Sequence, residues 1–198
     1  MKFIIGLTGQ SGSGKTTLYE KAIEMGFFVI NCDEVVHSLY EKREMAELLA
    51  GVFSKEIIKD GKINRAALAQ KAFSSKENTM LLNQTVLPVI IEEIKAIIDN
   101  SNSEKIMLDA PTLFESGADK LCNATIGVLA DKKKRLERII SRDGLENKAA
   151  KLRLSAEKSD DFYIENCDFV IYNETTIDEL KTKFEGLLKS ILGGSKND

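Results

Sequence analysis

Short, almost unbroken apolar runs recur along the chain, and stretches of helical period separate them. The runs fall at residues 2–8, 27–30, 105–108, 124–129 and 169–172. Their length, their content of Ile, Val and Phe and their lack of polar alternation suit strands covered on both faces. The periodicity between them predicts a helix over 16–25 stopped by Gly26, a helix over 33–40 with Asp33 at its N-cap, and a short helix over 66–73 capped by Asn64. A longer helix over 81–98 is expected to be interrupted by Pro88, and a final helix over 177–192 to give way to a polar, disordered tail at 193–198. Strand alternating with helix implies an α/β fold: a parallel sheet of about five strands, joined by right-handed crossovers and lying between helical layers.

Two intervals interrupt this alternation within what reads as a single domain over 1–198. Residues 34–103 carry helical patterns and no convincing strand, with a turn signal at Asp60-Gly61-Lys62, so they predict a helical subdomain. Residues 132–166 are helical and rich in Lys and Arg. Arg138 and Arg142 stand four apart there, where like charges repel on one helix face. Keeping two such arginines together points to an anionic partner, and the segment is expected to close over phosphates as a lid.

The first apolar run leads straight into Gly9-Gln10-Ser11-Gly12-Ser13-Gly14-Lys15-Thr16-Thr17. Glycines at these places let successive backbone N–H groups turn inward on one anion, at the positive end of the helix that follows. Lys15 then reaches the β- and γ-phosphates and the Thr16 hydroxyl is suited to Mg²⁺. The strand before and the helix after are the context this loop requires, so the chain is expected to take the P-loop NTPase form and to bind ATP through Gly12, Ser13, Gly14, Lys15, Thr16 and Thr17. In a parallel sheet the carboxyl ends of neighbouring strands converge on one crevice, which makes Asp33 the leading candidate to accept the proton of an incoming hydroxyl. Asp109, closing the third run, is the candidate for the outer sphere of the metal. His37, the single histidine, reads as a half-buried helix residue.

Charge and cysteine content narrow the partners. A formal net charge of -3 in 198 residues argues against nucleic acid held by bulk electrostatics. No apolar stretch is long enough to cross a membrane, and a cytoplasmic protein is expected. Cys32, Cys122 and Cys167 are widely spaced, with no Cys-x-x-Cys pair, which disfavours zinc sites and disulfide scaffolds. Cys167 reads as a small buried hydrophobe, and Cys32 sits near the expected chemistry.

Five ordered segments resemble the dephospho-coenzyme A kinase family. They are the phosphate loop; Asn31-Cys32-Asp33, where the family has Asp-x-Asp; Asp60-Gly61-Lys62-Ile63-Asn64-Arg65 with Leu68 and Phe73; Pro111-Thr112-Leu113-Phe114-Glu115; and Asp168 through Asn173. Leu87 precedes Pro88 where the family has histidine, and the lid arginines Arg138, Arg142 and Arg153 also match. The resemblance implies transfer of the γ-phosphate of ATP, with Mg²⁺, to the ribose 3′-hydroxyl of dephospho-coenzyme A. It makes Asp33 the residue that activates the hydroxyl, with Lys15 and Arg142 stabilising charge. Arg138, Arg142 and Asn173 would join the ATP site, Asn173 near adenine. Asp33, Arg65, Pro111 and Leu113 would contact the acceptor, within a binding subdomain over 34–103.

Two other readings share parts of the pattern. A nucleoside or nucleoside-monophosphate kinase would differ in the helical subdomain that receives the acceptor. A nucleotide switch is disfavoured because the chain has neither Asn-Lys-x-Asp nor an Asp-x-x-Gly after the third run.

Overall fold

The computed structural model describes residues 2–194, and the tail expected to be disordered lies beyond them at 195–198, its first two glycines excepted. The chain forms two compact units, one from Met1–Ile30 with Asn102–Asp198 and one from Asn31–Ser101. Among the described residues no helix is long and apolar enough to cross a membrane.

The first unit is built on five strands: β1 (Phe3–Gly9), β2 (Phe28–Asn31), β5 (Lys105–Asp109), β6 (Ala124–Leu129) and β7 (Phe169–Tyr172), in spatial order β2-β5-β1-β6-β7. β1 runs parallel to β5 on one side and to β6 on the other, and β6 runs parallel to β7. All six residues of β6 are buried, as its almost unbroken apolar run requires. The helices α1 (Lys15–Glu24) and α10 (Ile177–Gly194) pack together, and Ile5, Leu7, Leu18, Met107, Ile126 and Phe184 form the centre of the core with them. On α9 (Asp160–Asn166) the contacts are to β6 and β7, completing a three-layer arrangement. Gly26, at φ +81, stops the first helix in the left-handed conformation that glycine tolerates. The final helix runs two residues further than its periodicity suggested, through Gly193 and Gly194.

The segment expected to act as a lid comprises α7 (Lys132–Asp143), α8 (Asn147–Ser155) and α9. Ile139, Ala150 and Leu154 give α7 and α8 a small core of their own. Asp168 anchors the strand that follows: its carboxylate accepts from the Thr125 backbone N–H and hydroxyl, both at 2.8 Å, and pins β7 to β6.

The second unit holds α2 (Cys32–Glu41), α3 (Arg43–Val52), α4 (Arg65–Ala72) and α5 (Lys76–Asn100). Three expectations are corrected here. A hairpin of two short strands, β3 (Ile58–Lys59) and β4 (Lys62–Ile63), lies where no strand was expected. Its turn has positive φ at both Asp60 and Gly61, the conformation that an Asp-Gly pair favours between strands too short to register as an apolar run. Pro88 does not interrupt the long helix, because it sits on the exposed face while Leu82, Val86, Ile90, Ile94 and Ile98 bury a stripe at four-residue spacing. That packing outweighs the single backbone hydrogen bond the proline forgoes. Finally, Asn31 rather than Asp33 caps α2, its side-chain oxygen accepting from the N–H groups of Asp33 and Glu34 at 3.1 and 3.3 Å.

Candidate active site

The phosphate loop connects the carboxyl end of β1 to α1, and Gly9, Gly12 and Gly14 all take positive φ. At Gly9 a side chain would strike the backbone of Val128 on the neighbouring strand, so the loop can leave the sheet only without a Cβ. α1 has no acidic residue in its first turn and no side-chain cap, which leaves its N-terminal end suited to an anion. Lys15 Nζ donates to the Gly9 carbonyl at 2.9 Å, spanning the loop it serves. Thr16 lies exposed in the first turn of the helix.

Side chains from outside the loop hold it in shape. Asn173 donates to the Ser13 carbonyl at 2.7 Å, and Arg138 to that of Gly12 at 3.0 Å. Glu157 accepts from the Ser11 N–H at 3.0 Å, and Gln10 donates to Asp160 at 2.7 Å. Asn173, expected near adenine, is buried and uses its amide on the loop backbone. The two arginines of α7 also part company. Arg138 turns to the loop while Arg142 forms a bidentate pair with Asp143 at 2.6 and 2.9 Å, so the expected repulsion between them is relieved by different anchors. Arg142 holds the Asp143 carboxyl below its ordinary range, and Arg153 joins that carboxylate at 2.9 Å.

Arg135 carried no signal in the periodicity beyond being one more basic residue of α7. It is buried, reaches Glu157 at 2.6 Å and backs Gly12 with its own main chain. A charged residue on the apolar stripe with Ile139 was the clue available.

Pro111 and Leu113 follow β5. The Pro111 carbonyl accepts from the Thr8 hydroxyl at 3.2 Å, and Leu113 is fully buried against Gly6. Leu113 is thus corrected from acceptor contact to core: no part of its side chain is presented to a ligand. Asp109 ends β5 beside Leu7, the register that brings it to the carboxyl edge from which the phosphate loop departs. Cys167 is half-buried, not fully buried, and packs on Gly127.

Within the second unit a cavity of about 400 Å³ brings together two of the four acceptor candidates, Asp33 and Arg65, without Pro111 or Leu113. Val36, Leu68, Ala69, Ala72, Phe73 and Leu82 make most of its wall, and Asp33, His37, Tyr40 and Arg65 bring polar groups to it. Because Asn31 does the capping, the Asp33 carboxylate stays exposed at the first turn of α2. Cys32 is buried beneath it as the first residue of that helix. Burial pushes the Tyr40 phenol up from its ordinary value, with Arg65 opposing. His37, expected to be an ordinary helix residue, lies 3.0 Å from Arg65 through Nδ1 and is exposed.

The first unit thus carries a glycine-rich phosphate loop, and the second an apolar chamber bearing a carboxylate and a guanidinium. A family model of dephospho-CoA kinase matches residues 3–179. The chain belongs to the dephospho-CoA kinase family. It is 33% identical over 189 residues to the dephospho-CoA kinase of Fusobacterium nucleatum, covering 95% of this chain and 98% of that protein. The crystal structure of TT1252 from Thermus thermophilus is similar at 25% identity with a TM-score of 0.81, covering 96% of this chain and 97% of that one. A dephospho-CoA kinase structure from Campylobacter jejuni is similar at 26% identity and a TM-score of 0.61, with the same coverage. As a member of this family the protein is a kinase of the P-loop fold.

Proposed function

We propose that the protein transfers the γ-phosphoryl group of ATP to the ribose 3′-hydroxyl of dephospho-coenzyme A, giving coenzyme A and ADP, the last step of coenzyme A biosynthesis. The 3′-oxygen forms a bond to the γ-phosphorus as the bond to the β,γ-bridging oxygen breaks, and Asp33 takes the hydroxyl proton. What supports this reading most is the chamber in which the Asp33 carboxylate and the Arg65 guanidinium share a wall with apolar side chains. An acceptor with a sugar alcohol, a diphosphate and a long weakly polar arm asks for those three kinds of contact together.

On the donor side Gly12 to Thr17 hold the triphosphate, Lys15 meets its outer oxygens, and Arg138 lies close to the loop. Arg142 joins by exchanging Asp143 for phosphate oxygens as the lid closes. The family resemblance assigns Pro111 to the acceptor, and Leu113 lies buried two residues on. Among the described residues no group of three or more His, Cys, Asp or Glu could hold a metal. The remaining donors, the Thr16 hydroxyl and the Asp109 carboxylate, fit Mg²⁺, which takes few protein oxygens and completes its sphere with phosphates and water. When bound, Mg²⁺ neutralises the charge on the β- and γ-phosphate oxygens. We place the enzyme in the cytoplasm and assign it no nucleic acid or membrane partner, in keeping with its modest net charge.

ADP release coupled to a reporter, measured with dephospho-coenzyme A beside nucleosides and nucleoside monophosphates, tests this reading. Turnover is expected with dephospho-coenzyme A; turnover confined to a nucleoside or monophosphate would reassign the acceptor. Asp33→Asn should lower kcat by about 10²- to 10⁴-fold, the usual worth of a positioned base, with ATP affinity retained.

A further inference from the structure

The wall of the acceptor chamber contains one interaction whose chemistry is dictated by the residue types alone. Arg65 Nη2 and His37 Nδ1 are 3.0 Å apart. A guanidinium carries donors and no acceptor, and it stays protonated at any pH the protein meets. The imidazole nitrogen facing it must therefore offer a lone pair, which places the ring proton on Nε2 and requires His37 to be neutral. Protonation of His37 removes the lone pair and sets a second cation against the first.

From this we infer that His37 is a positioning residue for the acceptor: in its neutral form it holds the Arg65 guanidinium at the chamber wall to receive the diphosphate of the substrate. The inference rests on the acceptor assigned above, and it adds a residue and a protonation state to it. His37 stands one helical turn after Asp33, so α2 presents the carboxylate and the imidazole on the same side. Glu41, a further turn along, lies 3.6 Å from Arg65 and 3.0 Å from Lys62 of β4. Arg65 is thereby gripped from two successive turns of one helix, by an anion and by a neutral acceptor. Both grips leave guanidinium N–H groups over, because the group has five.

The groups facing the imidazole are few. Along α2 they are Asp33, Glu34, Tyr40 and Glu41; α4 contributes Arg65 and β4 contributes Lys62, which is engaged by Glu41. From α5, Glu93 is occupied by Lys42 at 2.7 Å, and α3 turns Arg43 to its own Glu47. The nearest permanent cation is thus Arg65 itself, and it is the partner that His37 loses on protonation.

The test is the KM for dephospho-coenzyme A at saturating ATP, followed from about pH 5.5 to about pH 8. In the unaltered protein this KM should rise roughly tenfold toward the acid end, the loss expected when one hydrogen bond to a charged group is replaced by repulsion. His37→Asn keeps a neutral acceptor that does not titrate. It should hold the KM at neutral pH within about threefold of the parent and abolish the acid rise. His37→Ala should raise the acceptor KM about tenfold at neutral pH while the KM for ATP and the melting temperature stay put. An acid rise that persists in His37→Asn, or an acceptor KM unmoved in His37→Ala, overturns the inference. If the unaltered protein shows no turnover with dephospho-coenzyme A, the reading of the acceptor has failed instead. Binding of coenzyme A to His37→Ala, followed by calorimetry, then still reports whether His37 steadies Arg65: weakened binding supports the inference and unchanged binding overturns it.

Discussion

The Arg135 guanidinium meets the Glu157 carboxylate at 2.6 Å with only 5% and 15% of their side chains exposed, and the same carboxylate takes the N–H of Ser11 at 3.0 Å. A buried pair of this kind is costly to break from one side, because the surviving charge is left without its partner. Arg135→Ala and Glu157→Gln should each destabilise the protein by about 3–5 kcal/mol in urea titrations. Arg135→Ala combined with Glu157→Gln should lose much less than the sum, since the coupled charges leave together. Strict additivity would show that the two side chains act independently.

At Gly9 the reason for glycine is steric as well as conformational. Its φ of +142 disfavours any side chain, and an added Cβ would meet the Val128 main chain, which cannot rotate away. Gly117, at φ +76, has open space around the same position. Gly9→Ala should therefore lose about 3 kcal/mol or more, combining strain with a clash inside the sheet. Gly117→Ala should lose only the left-handed penalty, about 1–2 kcal/mol. Denaturant midpoints of the two variants provide the comparison, and equal losses would refute the clash.

The sheet was legible because strands buried on both faces are almost wholly apolar, and β6, buried from end to end, departs from that only at Thr125. The phosphate loop was legible because its glycines answer a backbone requirement that side chains cannot meet. The hairpin at Asp60-Gly61 was visible only as a turn, since two-residue strands leave no periodicity to read. Asn31 and Asp33 compete for one capping role two residues apart, and geometry alone assigns it to Asn31. Arg135 and Glu157 were out of reach for a different reason. Each meets the loop across more than a hundred residues, by contacts to backbone atoms that every sequence possesses.

The separate anchors of Arg138 and Arg142 predict separable kinetic defects. Arg138 already donates to Gly12, so Arg138→Ala should raise the KM for ATP, by about tenfold for one lost charged hydrogen bond. Arg142 is engaged with Asp143 and contributes only once it changes partner. Arg142→Ala should leave nucleotide affinity within about twofold and lower kcat by about 10²-fold, as loss of a donor to developing charge does. Titrating ATP by fluorescence alongside steady-state assays separates the two, and the reverse ordering would exchange their roles.

Alkaline pH should expose the packing of the α9 segment. Burial pushes the Cys167 thiol up from 9.0 to about 12, with the Asp168 carboxylate adding to it, and burial pushes the Tyr163 phenol from 10.0 to about 12, with Glu115 and Glu157 adding. Both groups are raised in the folded state, so the stability they contribute is complete below their unfolded values and is lost as pH climbs toward the folded ones. Urea stability should hold steady up to about pH 9 and then decline toward about pH 12 as the unfolded chain ionises first. Cys167→Ala should remove the earliest part of that decline, between about 9 and about 10, where the tyrosine does not yet contribute. A decline of the same onset and slope in Cys167→Ala would show that the thiol is not held neutral by its surroundings.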